Sequence, residues 1–187
     1  MDQTNETLEL CRPIRLILSD VDGVLTDGGI IYSENGWEIK QFNARDGFGI
    51  RLWERTGGLF GIVTGRSSNV VKMRADELGA VVLRQGVKNK AEAVDQIAES
   101  LGIEPAQIAF IGDDFPDLPA MMRVGLPAAV ADATDEIKRK AKWVSRYHGG
   151  HGAVRELIET ILKAQNRWEA AIQFYLRPFI GEDADRW

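Results

Sequence analysis

Five short apolar runs constrain this chain more than any other feature: Arg15 to Ser19, Leu59 to Val63, Val81 to Leu83, Ile108 to Ile111 and Ala128 to Val130. Each is too short for a helix and shows no polar alternation, as expected of strands covered on both faces. Between them lie segments of helical pattern: Ser67 to Leu78 ended by Gly79, Lys88 to Leu101 ended by Gly102, a short one around Pro116 to Arg123, and Thr134 to Lys142. Strand and helix in strict turn require crossover connections, and therefore a doubly wound α/β sheet.

Two segments depart from that rhythm. In GIIYSENGWEIKQF, apolar-aromatic runs flank Ser33-Glu34-Asn35-Gly36, whose turn chemistry predicts a hairpin inserted after the first strand. DGFGIRLWERTGG then reads as an Asp-started helix with Ile50, Leu52 and Trp53 available for burial. A last helix is predicted to begin near Gly152 and to keep one apolar face as far as Leu176, where Pro178 should stop it. FIGEDADRW beyond it reads as a loosely held acidic tail. With 187 residues, the expectation is one domain over 1–187, with a core over 14–162, the hairpin over 29–42 and a C-terminal extension and tail over 163–187. The extension's expected role is a helix packed at a subunit interface.

The N-terminal MDQTNETLELC lacks the pattern of a secretory signal, and no run approaches the roughly 18 apolar residues of a membrane span. A cytoplasmic protein is expected. Cys11 is the sole cysteine, which excludes an internal disulfide and a multi-thiolate zinc site, and no histidine stands near it in sequence to make it a nucleophile. A net charge of −5 argues against nucleic acid as partner. His148 and His151 in YHGGHG lack a third ligand, so the segment reads as a hinge before the last helix rather than a metal site.

In open parallel sheets, ligands bind beyond the carboxyl ends of the strands. Asp20 and Asp22 follow the first strand, Thr64 follows Ile62-Val63, Lys90 opens a helix, and Asp113, Asp114 and Asp117 follow IAFIG. Taken singly, each residue is an ordinary cap, turn residue or surface charge. Two carboxylates one residue apart repel unless something positive lies between them. Together, carboxylates for a hard cation, with a hydroxyl and an ammonium for phosphate oxygens, are the inventory of phosphoryl transfer.

DVDGVLTDG, VTGR, the lysine of QGVKNK and GDDFPD, in that order, resemble the four motifs of the haloacid dehalogenase (HAD) phosphatases. FNARDGFGIRLW, TGRSSNVVKMRADELG, GDDFPDLPAM and GGHGAVREL narrow the resemblance to the small capless 3-deoxy-D-manno-octulosonate (KDO) 8-phosphate phosphatases and their relatives acting on nine-carbon sialic-type sugars. The resemblance implies a HAD-like, Rossmann-like fold. It implies Asp20 as nucleophile and Asp22 as general acid/base, with Mg²⁺ held by the Asp20 carboxylate, the Asp22 carbonyl and Asp113. Thr64 and Lys90 would meet the phosphate beside Gly65. Arg66 and Arg155 would contact the sugar-acid phosphate, Arg66 favouring the eight-carbon substrate. Of Asp114 and Asp117, one would support magnesium or Lys90 and the other would cap the following helix.

Only 41 residues separate Asp22 from Thr64 and 22 separate Lys90 from Asp113, so neither gap has room for a cap domain. The resembled family builds homotetramers on this hairpin, in which a neighbour helps cover each site. That use suits Ile30, Ile31, Tyr32 and Trp37, which a monomer would bury poorly.

Three rivals fail on the residues. A calcium-binding EF-hand counted from Asp20 would need glycine at Leu25 and an acid at Ile31. A phospho-accepting receiver domain carries its acid pair first, whereas here GDDFPD follows Thr64 and Lys90. A catalytically idle HAD-like interaction module would not need Asp20, Asp22, Thr64, Lys90 and Asp113 intact.

Overall fold

In chain order, the elements of the computed structural model, which describes residues 5–176, are α1 (Asn5–Cys11), β1 (Leu16–Ser19), β2 (Ile31–Tyr32), β3 (Glu38–Ile39), α2 (Ala44–Arg55), β4 (Leu59–Val63), α3 (Asn69–Leu78), β5 (Val82–Arg84), α4 (Lys90–Leu101), β6 (Ile108–Gly112), α5 (Leu118–Met121), β7 (Leu126–Ala129), α6 (Asp135–Lys140), β8 (Trp143–Val144), α7 (Ala153–Ala164) and α8 (Trp168–Leu176). Six strands form one parallel sheet in the order β5-β4-β1-β6-β7-β8. The chain runs from β1 to one side, then returns to lay β6 against the other side of β1. That reversal is the switch point where such sheets bind ligands. Ser19 stands level with Ile62 of β4 and Ile111 of β6, so the ends of these strands, and the residues that follow them, are brought to one rim.

The apolar runs are buried as their composition demands. Leu16, Ile17, Leu18, Phe60, Ile62, Ile108 and Phe110 lie wholly inside. Val154, Leu157, Ile158 and Ile161 bring α7 into the same core. The core extends past its expected limits, because the polar leader forms α1 and buries Cys11. Burial pushes the Cys11 thiol up to about 12, which makes it an inert core residue.

Three expectations are corrected. The helix expected to start at an aspartate is capped by Asn43, whose side chain accepts from the Arg45 N–H at 2.8 Å. Asp46 instead sits buried in that helix and accepts from the backbone N–H groups of Gly152 (3.1 Å) and Arg155 (2.7 Å), satisfying the first turn of α7 from another element. The short helix near Pro116 is a 3₁₀ turn (Phe115–Asp117) followed by a single turn of α5. The long last helix breaks after Ala164, where Asn166 takes φ 56° and the Gln165 amide turns to the Ile14 carbonyl at 2.7 Å and the Arg12 carbonyl at 3.1 Å. Its second part, α8, packs on its own chain: Ala171 is buried, and the Tyr175 and Phe48 rings lie 5.1 Å apart. Pro178 and the acidic tail lie outside the described residues.

The hairpin forms a separate two-stranded sheet, with Ile31 opposite Ile39 and Tyr32 opposite Glu38. Ile30, Ile31, Tyr32 and Ile39 are exposed, and Trp37 is 75% exposed. Among the described residues no cap interrupts the core: only the hairpin, α2 and β4 separate Asp22 from Thr64, and only α4 and β6 separate Lys90 from Asp113, apart from a 3₁₀ turn. No described helix is long and apolar enough to cross a membrane.

Candidate active site

Asp20 leaves the end of β1 with its N–H bonded to the Ile111 carbonyl at 3.2 Å, which fixes its backbone beside β6. Asp113 leaves β6 next to it. Oxygens of Asp20, Asp113 and Asp117 lie within 4.8 Å of one another, the sole such acid or histidine group among the described residues. Gly23 makes this closeness possible. It has φ 90°, and a Cβ there would run into the Asp113 carboxylate.

The crowding costs electrostatic energy that is only partly offset. Burial, then Asp117, pushes the Asp20 carboxyl up to about 6 against the pull of Lys90. Burial, then Asp117 and Asp20, pushes Asp113 up to about 8. Lys90 lies 3.0 Å from Asp20 Oδ1 and donates to Asp117 Oδ1 at 2.6 Å. Burial alone would lower the Lys90 ammonium, but Asp117 and Asp20 outweigh it and hold it above its ordinary value. Outside that ion pair, Asp20 Oδ1 is buried without a hydrogen-bond partner.

These features fit a divalent cation. Hard carboxylate oxygens converge there, and burial followed by their mutual repulsion raises Asp20 and Asp113, with Lys90 as the one cation within the cluster among the described residues. Asp117 is the least available of the three, since Lys90 takes Oδ1 and the Asp113 N–H donates to Oδ2 at 3.0 Å. Asp114 accepts from the Phe115 N–H and caps the 3₁₀ turn, while Asp117 pairs with Lys90.

Thr64 is buried at the end of β4, and its N–H and C=O are tied to Arg84 and Val87. Arg66 is anchored to the hairpin, donating to Glu38 at 2.8 Å and the Tyr32 hydroxyl at 2.9 Å, and its Nε lies 3.5 Å from Asp22 Oδ2. Hydrogen bonds to Tyr32 and Glu38 hold its guanidinium above its ordinary value. Glu77, on α3, pairs with Arg74 and stays exposed.

Arg155 is not brought to this cluster. It pairs with Glu159 at 2.7 Å, lies over the Phe48 and Trp168 rings, and lines a separate cavity of about 330 Å³ with Arg45, Tyr147 and His151. The glycines before it do reach the site's support: Gly150 N–H bonds to the Val24 carbonyl at 2.9 Å, and Gly149 packs so closely on Gly23 that no side chain fits. The segment read as a hinge is thus tied to the loop behind Asp22. His151 Nδ1 lies 2.7 Å from the Gly149 carbonyl, and His148 lies near Asp132. A larger cavity, about 670 Å³ between α1, β8 and α7, contains none of the cluster, so chemistry rather than volume locates the site.

Sequence reasoning missed Lys40. Its ammonium is paired with Asp22 Oδ1 and lies 3.4 Å from Glu38, and its side chain is 1% exposed. The only signal was the alternation Glu38-Ile39-Lys40, which places both charges on the face opposite Ile39.

Residues 80–157 match the family model of the haloacid dehalogenase-like hydrolases. The chain is 42% identical over 167 residues to the 3-deoxy-D-manno-octulosonate 8-phosphate phosphatase KdsC of Yersinia pestis, covering 89% of each chain. It superposes with a TM-score of 0.90 and 40% identity on the same-named phosphatase of Moraxella catarrhalis, solved with magnesium, phosphate and KDO, covering 92% of this chain and 99% of that one. The cobalt-bound phosphatase of Haemophilus influenzae gives a TM-score of 0.86 at 36% identity, covering 90% and 99%.

Proposed function

Because the chain belongs to the 3-deoxy-D-manno-octulosonate 8-phosphate phosphatases, haloacid dehalogenase-like hydrolases that cleave phosphoric monoesters, we propose that it hydrolyses KDO 8-phosphate through an aspartyl-phosphate on Asp20, with Mg²⁺ as cofactor. The observation that carries this reading is the convergence of Asp20, Asp113 and Lys90 at the switch point of the sheet.

Asp20 is the nucleophile: its carboxylate oxygen bonds to phosphorus as the bond from phosphorus to the sugar oxygen breaks. Asp22, two residues on and outside the crowded triad, gives its proton to the departing sugar oxygen. It then takes a proton from the water that attacks phosphorus and frees Asp20. Lys90 steadies the Asp20 carboxylate before attack and the phosphoryl oxygens afterwards, and Thr64 holds one of those oxygens by its hydroxyl. Asp20, the Asp22 carbonyl and Asp113 would hold the cation. When bound, it supplies positive charge that shields the phosphate dianion from an anionic nucleophile.

Arg66 stands at the rim on the side of Asp22, where a guanidinium suits an anionic sugar acid. Arg155 would have to leave Glu159 to touch substrate in its own subunit, so it is proposed only as a contact made after rearrangement. The exposed apolar hairpin supports a homotetramer in which neighbours cover one another's open sites.

Phosphate release from a panel of sugar phosphates tests the reading. Preference for KDO 8-phosphate is expected. Preference for a nine-carbon sugar-acid 9-phosphate would move the substrate assignment to that relative, and turnover of neither would remove it.

A further inference from the structure

We propose that Lys40 is a positioning residue that decides which oxygen of Asp22 exchanges the proton; the inference rests on the reading of Asp22 as general acid/base. An ammonium buried to 1% exposure is costly to hold unless it is fully paired, so its partners fix its place. They are Asp22 Oδ1 and the Glu38 carboxylate. Glu38 also accepts from Arg66, whose Nε faces Asp22 Oδ2 at 3.5 Å.

The two oxygens of Asp22 are therefore unlike. Oδ1 is locked by a buried, charge-assisted hydrogen bond. Among the described residues, Oδ2 has only the longer contact to Arg66, whose side chain is 42% exposed. Oδ2 is the oxygen free to carry a proton. In the first step the Oδ2–H bond breaks as the sugar oxygen gains that proton and parts from phosphorus. In the second, a water proton passes to Oδ2 as the water oxygen bonds to phosphorus and the Asp20 oxygen leaves it. Asp22 ends as it began, and one water is consumed per ester. Lys40 takes no proton in either step; it holds the carboxylate so that Oδ2 points outward from the buried side.

If Lys40 acted only as a buried counter-charge for the fold, its loss would weaken all substrates alike. As a positioning residue it matters only where the leaving group needs a proton. The test measures single-turnover release of the leaving group by the full-length, magnesium-loaded protein from two esters. One is KDO 8-phosphate, whose sugar alkoxide is too basic to leave without a proton; the other is 4-nitrophenyl phosphate, whose nitrophenolate departs without protonation.

Lys40→Met should slow sugar release on the order of a hundredfold, with KM nearly unchanged, and slow nitrophenol release less than about threefold. Lys40→Arg keeps the buried charge but not the compact point contact, and should show the same split at about tenfold; it decides the matter if Lys40→Met does not fold. Equal losses on both esters, or no loss on either, in the variant that folds would overturn the role of Lys40 while leaving the phosphatase reading intact. A wild-type protein that cleaves neither ester would overturn that reading, and this inference with it.

Discussion

Lys90 and Asp117 form a buried ion pair at 2.6 Å, and the same ammonium lies 3.0 Å from Asp20. Asp117 thus holds the lysine that holds the nucleophile. Removing one partner of a buried pair leaves the other charge uncompensated. Asp117→Ala should cost about 3 kcal/mol of stability, read from denaturant midpoints, and lower phosphatase activity as well. A loss under about 1 kcal/mol would show that Lys90 is adequately paired by Asp20 alone.

The crowded acids predict how stability depends on pH without metal. Asp20 and Asp113 titrate in the folded protein at about 6 and about 8, above the ordinary carboxylate value near 4. The folded state therefore binds more protons than the unfolded state between these limits, and stability falls as pH rises through that window. In EDTA, Tm should decline between pH 5 and pH 8. Added Mg²⁺ should raise Tm most at the upper end, where both acids must ionise. A metal-free Tm that rises across this range would contradict the arrangement.

Asp113 contributes one of the hard oxygens proposed for the cation. Asp113→Ala should weaken Mg²⁺ binding in a calorimetric titration by about tenfold or more, with excess Mg²⁺ recovering part of the activity. Unchanged affinity would take Asp113 out of the metal site.

How much of this was legible in the sequence follows from what each feature depends on. The parallel strands and the rim residues Asp20, Thr64 and Asp113 were readable, because an apolar run followed by a polar residue is local information. Lys40 was not, since a lysine in a hairpin reads as solvated until the fold turns it inward onto Asp22. The capping of α7 by Asp46 joins residues 106 positions apart, and the break at Asn166 depends on Gln165 meeting the carbonyls that follow α1. Such long-range polar contacts leave no periodic trace. β8 is two residues long at a sheet edge, too short to show a pattern.

The proposed homotetramer would bury the exposed apolar side of the hairpin against a second copy of the chain. Ile31→Asp combined with Trp37→Glu should give smaller species in light scattering and raise KM, because charge at a desolvated contact is costly. A wild-type protein that is already monomeric at working concentration would contradict the assembly.

Arg66 links the rim to the hairpin. Arg66→Ala should raise KM for KDO 8-phosphate about tenfold and for a small generic phosphate ester much less. Equal changes on both would show that the residue serves the phosphate or the Glu38 contact rather than the sugar acid.

The central claim is that the Asp20 carboxylate attacks phosphorus, and phosphate release from KDO 8-phosphate by Asp20→Asn tests it most directly. The amide keeps the shape of the side chain but is a far weaker nucleophile. With a circular dichroism spectrum like that of the wild type, turnover should fall by roughly a thousandfold or more. A folded Asp20→Asn protein that keeps more than about a few per cent of the wild-type rate would show that another group attacks.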